Sequence, residues 1–369
     1  MRILHINCNY VATTLHQLMI EELDALGIEN EVFVPIHAEA DIVIQPNNDV
    51  FVAKCFDKWN RYLFDLKQAK IIRCVEKHYN VADFDLIHAY TVFTDGNCAR
   101  VLSKKYNVPY VVAVRNTDVN TFFKKRVLLR NRGRKILQEA SRVFFLSNAY
   151  QKEVIGTYVH KIKQQEIIKK SCVIPNGIDD FWFDHSFSQK RIIDKNNVKL
   201  IYAGGIDKNK NITATLSAME ILRSNGIETT LTVVGKIVDR TIGEIIINNP
   251  HATYIEKQPK ETLIDLYRKS DIFVMPSFHE SFGLVYAEAL SQGLPVIYSK
   301  GQGFDEQFEN GYIGYAVDPK DPQSIADGIL NAIHLYEPIS DRCSKCVDRF
   351  NWDRITQKYQ AVYETIIDK

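Results

Sequence analysis

Short, largely apolar runs recur along the chain at residues 3–6, 31–35, 86–89, 110–114 and 143–146, and again at 198–203, 230–235, 272–275 and 295–298. Amphipathic stretches separate them. Runs of this kind suit strands buried on both faces, and the helical spacers between them suit the crossovers of parallel sheets. The pattern predicts an α/β protein with two doubly wound parallel-sheet domains, one in each half of the chain.

A break between the halves follows the turn Ile174-Pro-Asn-Gly-Ile-Asp179, where a strand ends and a polar, irregular stretch over residues 184–197 precedes a fresh strand at Val198. The expected division is 1–185, 186–348 and a last segment, 349–369. That segment carries aromatic and aliphatic residues at helical spacing with Asp353 near its start, so it reads as a terminal helix packed on the body.

Composition narrows the class. The 369 residues are 46% hydrophobic and 25% charged, enough for two soluble domains with separate cores. Lys plus Arg number 46 against 45 for Asp plus Glu, a net charge of +1, so no global field favours nucleic acid and any anion site must be local. Residues 1–7 lead directly into a strand without a leader-like or membrane-spanning apolar segment, and a cytoplasmic location is expected. The seven cysteines are scattered; Cys343 and Cys346 lack a second pair or a His cluster, so reduced thiols are expected rather than a zinc site.

Candidate chemistry concentrates in residues 271–296. A buried strand over 272–275 runs through a Pro-Ser turn and a loop into a helix beginning near Gly283 or Leu284. In an open α/β sheet this strand-to-helix crevice is where ligands sit. Free backbone amides around Phe282, Gly283 and Leu284, aided by the helix dipole, are suited to a diphosphate, and Gly283 permits close approach. Glu288 falls about one turn into the helix and leans back toward its start, while Glu280 and Ser281 lie on the preceding loop. A carboxylate repels a phosphate, so two acids here make sense as acceptors for the neutral hydroxyls of a ribose and a sugar. Their plainer reading is a dipole-stabilising Glu280 and an exposed helix charge at Glu288.

The stretch from His279 to Glu288 resembles the Glu-x7-Glu motif of the large retaining glycosyltransferase family 4, the glycosyl transferases group 1, of GT-B fold. The similarity extends from Leu266-Tyr-Arg-Lys-Ser-Asp271 through Gly293-Leu-Pro-Val296 to Gly303-Phe-Asp-Glu306. Ile174–Asp179, Val233-Val-Gly235 and Phe350-Asn-Trp352 match in order, so it covers nearly the whole chain and is best from residue 171 onward. The resemblance implies two Rossmann-like domains facing a central cleft, with the last helix crossing back to the first. It also implies a nucleotide-diphosphate sugar as co-substrate, retention of configuration, and no metal or other cofactor.

By position, Glu280 resembles the acid contacting the donor sugar and Glu288 the one binding the ribose. Tyr202-Ala-Gly-Gly-Ile-Asp-Lys-Asn-Lys-Asn211 resembles the family's phosphate loop, with Gly204 and Lys210 at matching positions. The family's usual arginine is Gly205 here, so one expected cation is missing, and Lys208 or an arginine of the first domain is the candidate replacement. The donor site expected on this basis comprises Gly204, Gly205, Lys210, Gly235, Glu280, Ser281, Phe282, Gly283, Leu284 and Glu288.

The N-terminal half departs further from the family. Residues 7–14 replace its usual glycine-rich loop; Thr13 and Thr14 are candidates for donor contact or for capping the next helix. Arg115, Asn116 and Asp118 stand where the family commonly reads His, Gly and an acid, and are expected to line the cleft, with a turn cap the alternative for Asp118. His88 resembles a cleft-wall position, against the reading of a hydrogen-bonded structural histidine. Glu280, Lys210 and Asp118 are the expected catalytic groups. Asp83-Phe-Asp85 precedes a strand and is rejected as a metal site. Lys124, Lys125, Arg126, Arg130, Arg132 and Arg134 crowd a segment opened by Phe122-Phe123, suggesting a basic amphipathic helix for an anionic membrane surface or a lipid-diphosphate acceptor.

The function expected is transfer of a sugar from a UDP- or GDP-sugar to a glycan or polyprenyl-linked acceptor, in synthesis of a surface polysaccharide or glycoconjugate, at the inner face of the membrane. A nucleotide-sugar epimerase on the same fold, or a non-catalytic nucleotide-sugar-binding partner subunit, stands as the alternative. Dinucleotide binding is disfavoured, because no Gly-x-Gly-x-x-Gly run follows the first strand.

Overall fold

The computed structural model describes residues 1–40, 49–61, 63–187 and 189–368. It contains two compact units. The first comprises Met1–Leu146, Tyr150–Gly177 and Trp352–Lys369; the second comprises Ser147–Ala149 and Ile178–Asn351.

The first unit is built on seven parallel strands: β1 (Arg2–Ile6), β2 (Glu29–His37), β3 (Val50–Phe56), β4 (Leu86–Ala89), β5 (Tyr110–Val114), β6 (Arg142–Phe145) and β7 (Ser171–Val173), ordered β3-β2-β1-β4-β5-β6-β7. The second has six: β8 (Asn197–Ala203), β9 (Glu228–Val234), β10 (Ala252–Ile255), β11 (Ile272–Met275), β12 (Val296–Ser299) and β13 (Gly314–Val317), ordered β10-β9-β8-β11-β12-β13. In both sheets the order reverses at the first strand of the unit, which opens a crevice at the carboxyl ends. Each sheet is the core of a Rossmann-like α/β domain.

Side-chain alternation explains the burial on both faces. Leu4 and Ile6 join one apolar cluster of the first unit, with Val112 and Phe145, whereas Ile3 joins the other, with Val111 and Phe144. Inner strands such as β5 and β11 are buried throughout, so every position must be apolar.

The last helix, Trp352–Ile367, lies in the first unit, where Tyr359 packs on Phe144 with ring centroids 4.8 Å apart. Residues 178–187 pack with the second unit: the Trp182 ring lies 5.7 Å from that of Tyr267, and the Phe187 amide donates to the Ser291 carbonyl at 2.8 Å. Among the described residues no helix is long and apolar enough to cross a membrane.

Candidate active site

The site grows from the carboxyl ends of β8, β9 and β11. After β8 the chain reaches Gly204 at φ +152°, and after β9 it reaches Gly235 at φ +154°. A Cβ on Gly235 would sit 1.8 Å from the Gly204 carbonyl oxygen, so the two strand ends approach closely only because glycine stands there. Tyr202 donates its hydroxyl to the Gly205 carbonyl at 2.7 Å and anchors the loop from below.

The chain then turns through Lys208–Lys210, where Asp207 accepts from the Lys210 amide at 3.1 Å, and Asn211 adopts the left-handed conformation at φ 59°. Asparagine enters that region more readily than most residues. Its side chain donates to the carbonyls of Pro276 at 3.1 Å and Pro319 at 2.6 Å.

Asn209 makes the second tie. Its Nδ2 donates to the His279 carbonyl at 2.8 Å, its Oδ1 accepts from the His279 amide at 3.0 Å, and its own carbonyl accepts from the Phe278 amide at 2.8 Å. The loops after β8 and β11 are thereby held as one body. That body brings Lys210 Nζ to 2.5 Å from Glu280 Oε2, with both side chains mostly buried.

A third loop braces Glu280. Its amide donates to Gln302 Oε1 at 3.1 Å and its carbonyl accepts from the Gly303 amide at 3.0 Å. A Cβ on Gly303 would meet the Ser281 carbonyl oxygen at 1.8 Å, so this contact too depends on glycine. The Ser281 amide donates to Glu280 Oε1 at 3.0 Å. Gln302 is a structural part of the site absent from the sequence expectation, and Asn209, Asn211 and Gly303, which lie in the family-like segments, brace it in a way the sequence did not assign.

The helix Leu284–Ser291 begins after Gly283, which sits at φ +78° with the Tyr286 ring 2.4 Å from where a Cβ would lie. Phe282 turns its ring inward against Phe304 and Phe350, and Tyr286 donates its hydroxyl to the Met275 carbonyl at 2.6 Å. These anchors fix the helix start, whose first amides have no acceptor within the helix. Glu288 follows one turn on, partly buried. Burial, then the charge of Asp179, pushes its carboxyl up to about 7, with Tyr267 acting in the opposite direction. Asp179 is itself paired with Lys260 at 2.7 Å.

Gly204, Gly205, Lys210, Gly235, Glu280, Ser281, Phe282, Gly283, Leu284 and Glu288 therefore lie on three mutually braced loops and one helix start. Lys208 is 81% exposed and lies 3.8 Å from Asp239.

In the first unit several expectations are corrected. Asp118 is buried, and its carboxylate accepts from the backbone amides of Arg115 at 3.0 Å, Val92 at 3.0 Å and Phe93 at 3.3 Å. Burial raises it to about 6 against those three amides. An acid committed in this way organises the loop after β5, which is the turn-cap alternative. His88 is also fully buried, stacked on Tyr90 with centroids 4.3 Å apart and with Nδ1 2.7 Å from the Tyr363 hydroxyl. Burial holds its imidazole well below the ordinary range, so it is a structural histidine rather than a lining one.

Arg115 reaches Asn176 Oδ1 at 3.0 Å, and Asn116 accepts from Asn120 at 2.5 Å. Thr13 is exposed and its Oγ1 lies 3.4 Å from the Leu15 amide.

The basic segment is not one amphipathic helix. It divides into a π-helical stretch Asp118–Phe123, a 3-10 turn Val127–Leu129 and the helix Arg130–Glu139. Phe123 enters the core against Tyr158, which pulls the chain inward. Lys124 pairs with Glu153, Arg132 with Asp65, and Arg130 and Arg134 donate to the carbonyls of Phe123 and Tyr158. Lys125 and Arg126 stay exposed.

Fold and site define a GT-B glycosyltransferase, and the comparisons agree. Residues 184–347 match the model of glycosyl transferases group 1, and residues 11–180 match that of Glycosyltransferase Family 4. The chain belongs to glycosyltransferase family 4. It is 25% identical to the D-inositol 3-phosphate glycosyltransferase of Paenarthrobacter aurescens over 73% of this chain and 70% of that protein. Sucrose-phosphate synthase from Thermosynechococcus elongatus superposes with a TM-score of 0.75 at 19% identity, over 100% of this chain and 99% of that one. Anabaena HepE in complex with UDP and glucose superposes at 0.68 with 18% identity, over 99% and 100%.

Proposed function

We propose that this glycosyltransferase moves a sugar from a UDP- or GDP-linked donor to a hydroxyl of a glycan or lipid-linked acceptor, with retention of configuration and without a metal ion. The observation that carries the reading is the Lys210–Glu280 pair, clamped at 2.5 Å beside the start of the helix Leu284–Ser291. An ammonium has three donors. One is engaged by Glu280, and the others are available to a diphosphate lying against the helix amides.

In this reading Glu280 grips the sugar hydroxyls and Glu288 the ribose, while Gly204 and Gly235 let backbone approach the phosphates. The anomeric carbon–oxygen bond to the diphosphate breaks on the face where the acceptor oxygen forms its new bond. The acceptor proton passes to the departing phosphate oxygen. Lys210 and the helix amides stabilise the charge that grows there. The complex of HepE with UDP and glucose supports a donor of this class.

One observation favours a second reading, binding without transfer. Gly205 leaves the phosphate loop a cation short of the family pattern. The test is a screen of nucleotide sugars for thermal stabilisation, followed by acceptor trials with the best donor and proton NMR of the product's anomeric coupling. Transfer with the donor's own anomeric configuration supports the proposal. Stabilisation without transfer or hydrolysis favours a binding subunit; an altered nucleotide sugar released without acceptor favours an epimerase; an inverted product refutes retention.

A further inference from the structure

Strand β3 stands at one edge of the first sheet, paired with β2. Its alternate residues Phe51, Ala53 and Cys55 join the apolar cluster shared with the helix Phe64–His78, whereas Val50 and Val52 join the cluster on the other face. On the helix, Ile71, Cys74, Val75 and His78 recur at the three- and four-residue spacing that places them on one face. The two elements are keyed at one point by the Phe51 and His78 rings, stacked with centroids 3.5 Å apart. Further along the same contact the Cys74 thiol is a hydrogen-bond partner of Cys55, whose own Sγ lies 3.2 Å from the Ala53 carbonyl oxygen.

The two thiols differ in access. Cys55 is buried; burial, and then the neighbouring Cys74 thiol, push its titration well up, so it stays protonated. Cys74 is half-buried and opens on a cavity of about 390 Å³ along β3 and the helix, whose wall also carries Lys54 and Lys77. Both lysines are exposed, and among the described residues that line the cavity there is no aspartate or glutamate. A thiol that solvent reaches, flanked by two ammonium groups, draws anionic reagents in preference to neutral or cationic ones.

We propose that Cys74 and Cys55 form a thiol–disulfide exchange site for an anionic low-molecular-weight disulfide, with Cys74 the attacking thiol and Cys55 the resolving one. The Cys74 sulfur bonds to one sulfur of the incoming reagent, whose own S–S bond breaks; the departing half takes up the proton that Cys74 gives up. Cys55 then bonds to the Cys74 sulfur, the mixed S–S bond breaks, and the second half departs with the Cys55 proton. The protein loses two electrons and two protons, and the reagent leaves as two thiols. The product staples an edge strand to the helix that covers it. It calls on no residue of the proposed donor site.

The test uses the full chain, fully reduced and then incubated with anionic glutathione disulfide, neutral 2-hydroxyethyl disulfide or cationic cystamine. Peptide mapping by mass spectrometry, after alkylation of the remaining thiols, is expected to find a Cys55–Cys74 linkage. Two of the seven thiols should be lost to titration and recovered with dithiothreitol. Cys55→Ala is expected to stop at a mixed disulfide on Cys74, and Cys74→Ser to slow modification of Cys55 by roughly tenfold or more. With each rate divided by that of the same reagent on the urea-unfolded chain, glutathione disulfide should lead cystamine by roughly tenfold at low salt. Lys54→Gln combined with Lys77→Gln should remove most of that lead.

A folded chain that forms no Cys55–Cys74 linkage, or forms it only once unfolded, overturns the pairing. Mapping on the unaltered chain decides this even where a variant folds poorly. Arrest at the mixed disulfide in the unaltered chain overturns the resolving role of Cys55. Equal normalised rates for the three reagents, or a lead insensitive to the lysine substitutions, overturn the preference for an anion.

Discussion

Lys210 and Glu280, 70 positions apart in the chain, hold each other at 2.5 Å because Asn209 has already tied their two loops together. Either partner alone would leave a mostly buried charge uncompensated. Lys210→Ala is therefore expected to weaken donor binding by tenfold or more, on the order of the 1.5–3 kcal/mol of a charged contact. Thermal stabilisation by the best nucleotide sugar checks this. An unchanged shift would place the donor elsewhere.

Gly205 offers a gain-of-function test. A Cβ there meets Val238 Cγ2 at 3.7 Å, an ordinary contact, so a side chain is tolerated where the flanking glycine would not accept one. Gly205→Arg restores the cation of the family pattern and is expected to tighten donor binding by roughly tenfold. Calorimetric titration with the nucleotide sugar decides, and unaltered affinity would argue that the diphosphate does not lie against this loop.

Glu288 gives the site a pH dependence. With its carboxyl raised from 4.5 to about 7, the folded protein keeps a proton that the unfolded chain has released. The stabilisation from this raised group is complete below about pH 4.5 and is lost as pH rises through about 7. Glu288→Gln removes the effect, so denaturant melts should show the variant gaining on the native chain by about 1–3 kcal/mol between those limits. Donor affinity should move the other way in the native chain, rising with pH as the carboxylate forms, and should be flat in the variant.

How far the sequence reveals this architecture depends on where a strand sits. The nine apolar runs are the nine inner strands; β3, β7, β10 and β13 are the four sheet edges. An edge strand is covered on fewer sides and needs no continuous apolar stretch, as the half-buried positions of β7 and β10 illustrate. The loops proposed to hold the donor are legible in the sequence because glycine, lysine and glutamate there carry local geometry. Asn209 and Gln302 are not, since their partners lie 70 and 22 residues away. Of the two readings of His88 the structural one holds, and what buries it includes Tyr363, 275 residues on.

That buried pair makes a control. Tyr363→Phe leaves His88 Nδ1 without its partner inside an apolar cluster and should lower the stability of the first unit by about 1–3 kcal/mol. Chemical denaturation monitors the loss. Donor affinity should stay unchanged, because the loops proposed to hold the donor belong to the second unit; a parallel loss of affinity would count against that separation.

Gly235→Ala probes the backbone itself. The added methyl would lie 1.8 Å from the Gly204 carbonyl oxygen at φ +154°, so the two strand ends must part. The expected cost is about 1–3 kcal/mol of stability together with loss of donor binding. Retained affinity in a folded variant, measured by titration, would show that this close approach serves the sheet alone.

Amide hydrogen exchange, with and without the most stabilising nucleotide sugar, tests the central claim most directly because the proposed phosphate donors are backbone N–H groups. Slowed exchange confined chiefly to residues 204–211 and 280–288 is the predicted result. Protection that spares both stretches while appearing elsewhere would contradict a diphosphate held by these loops.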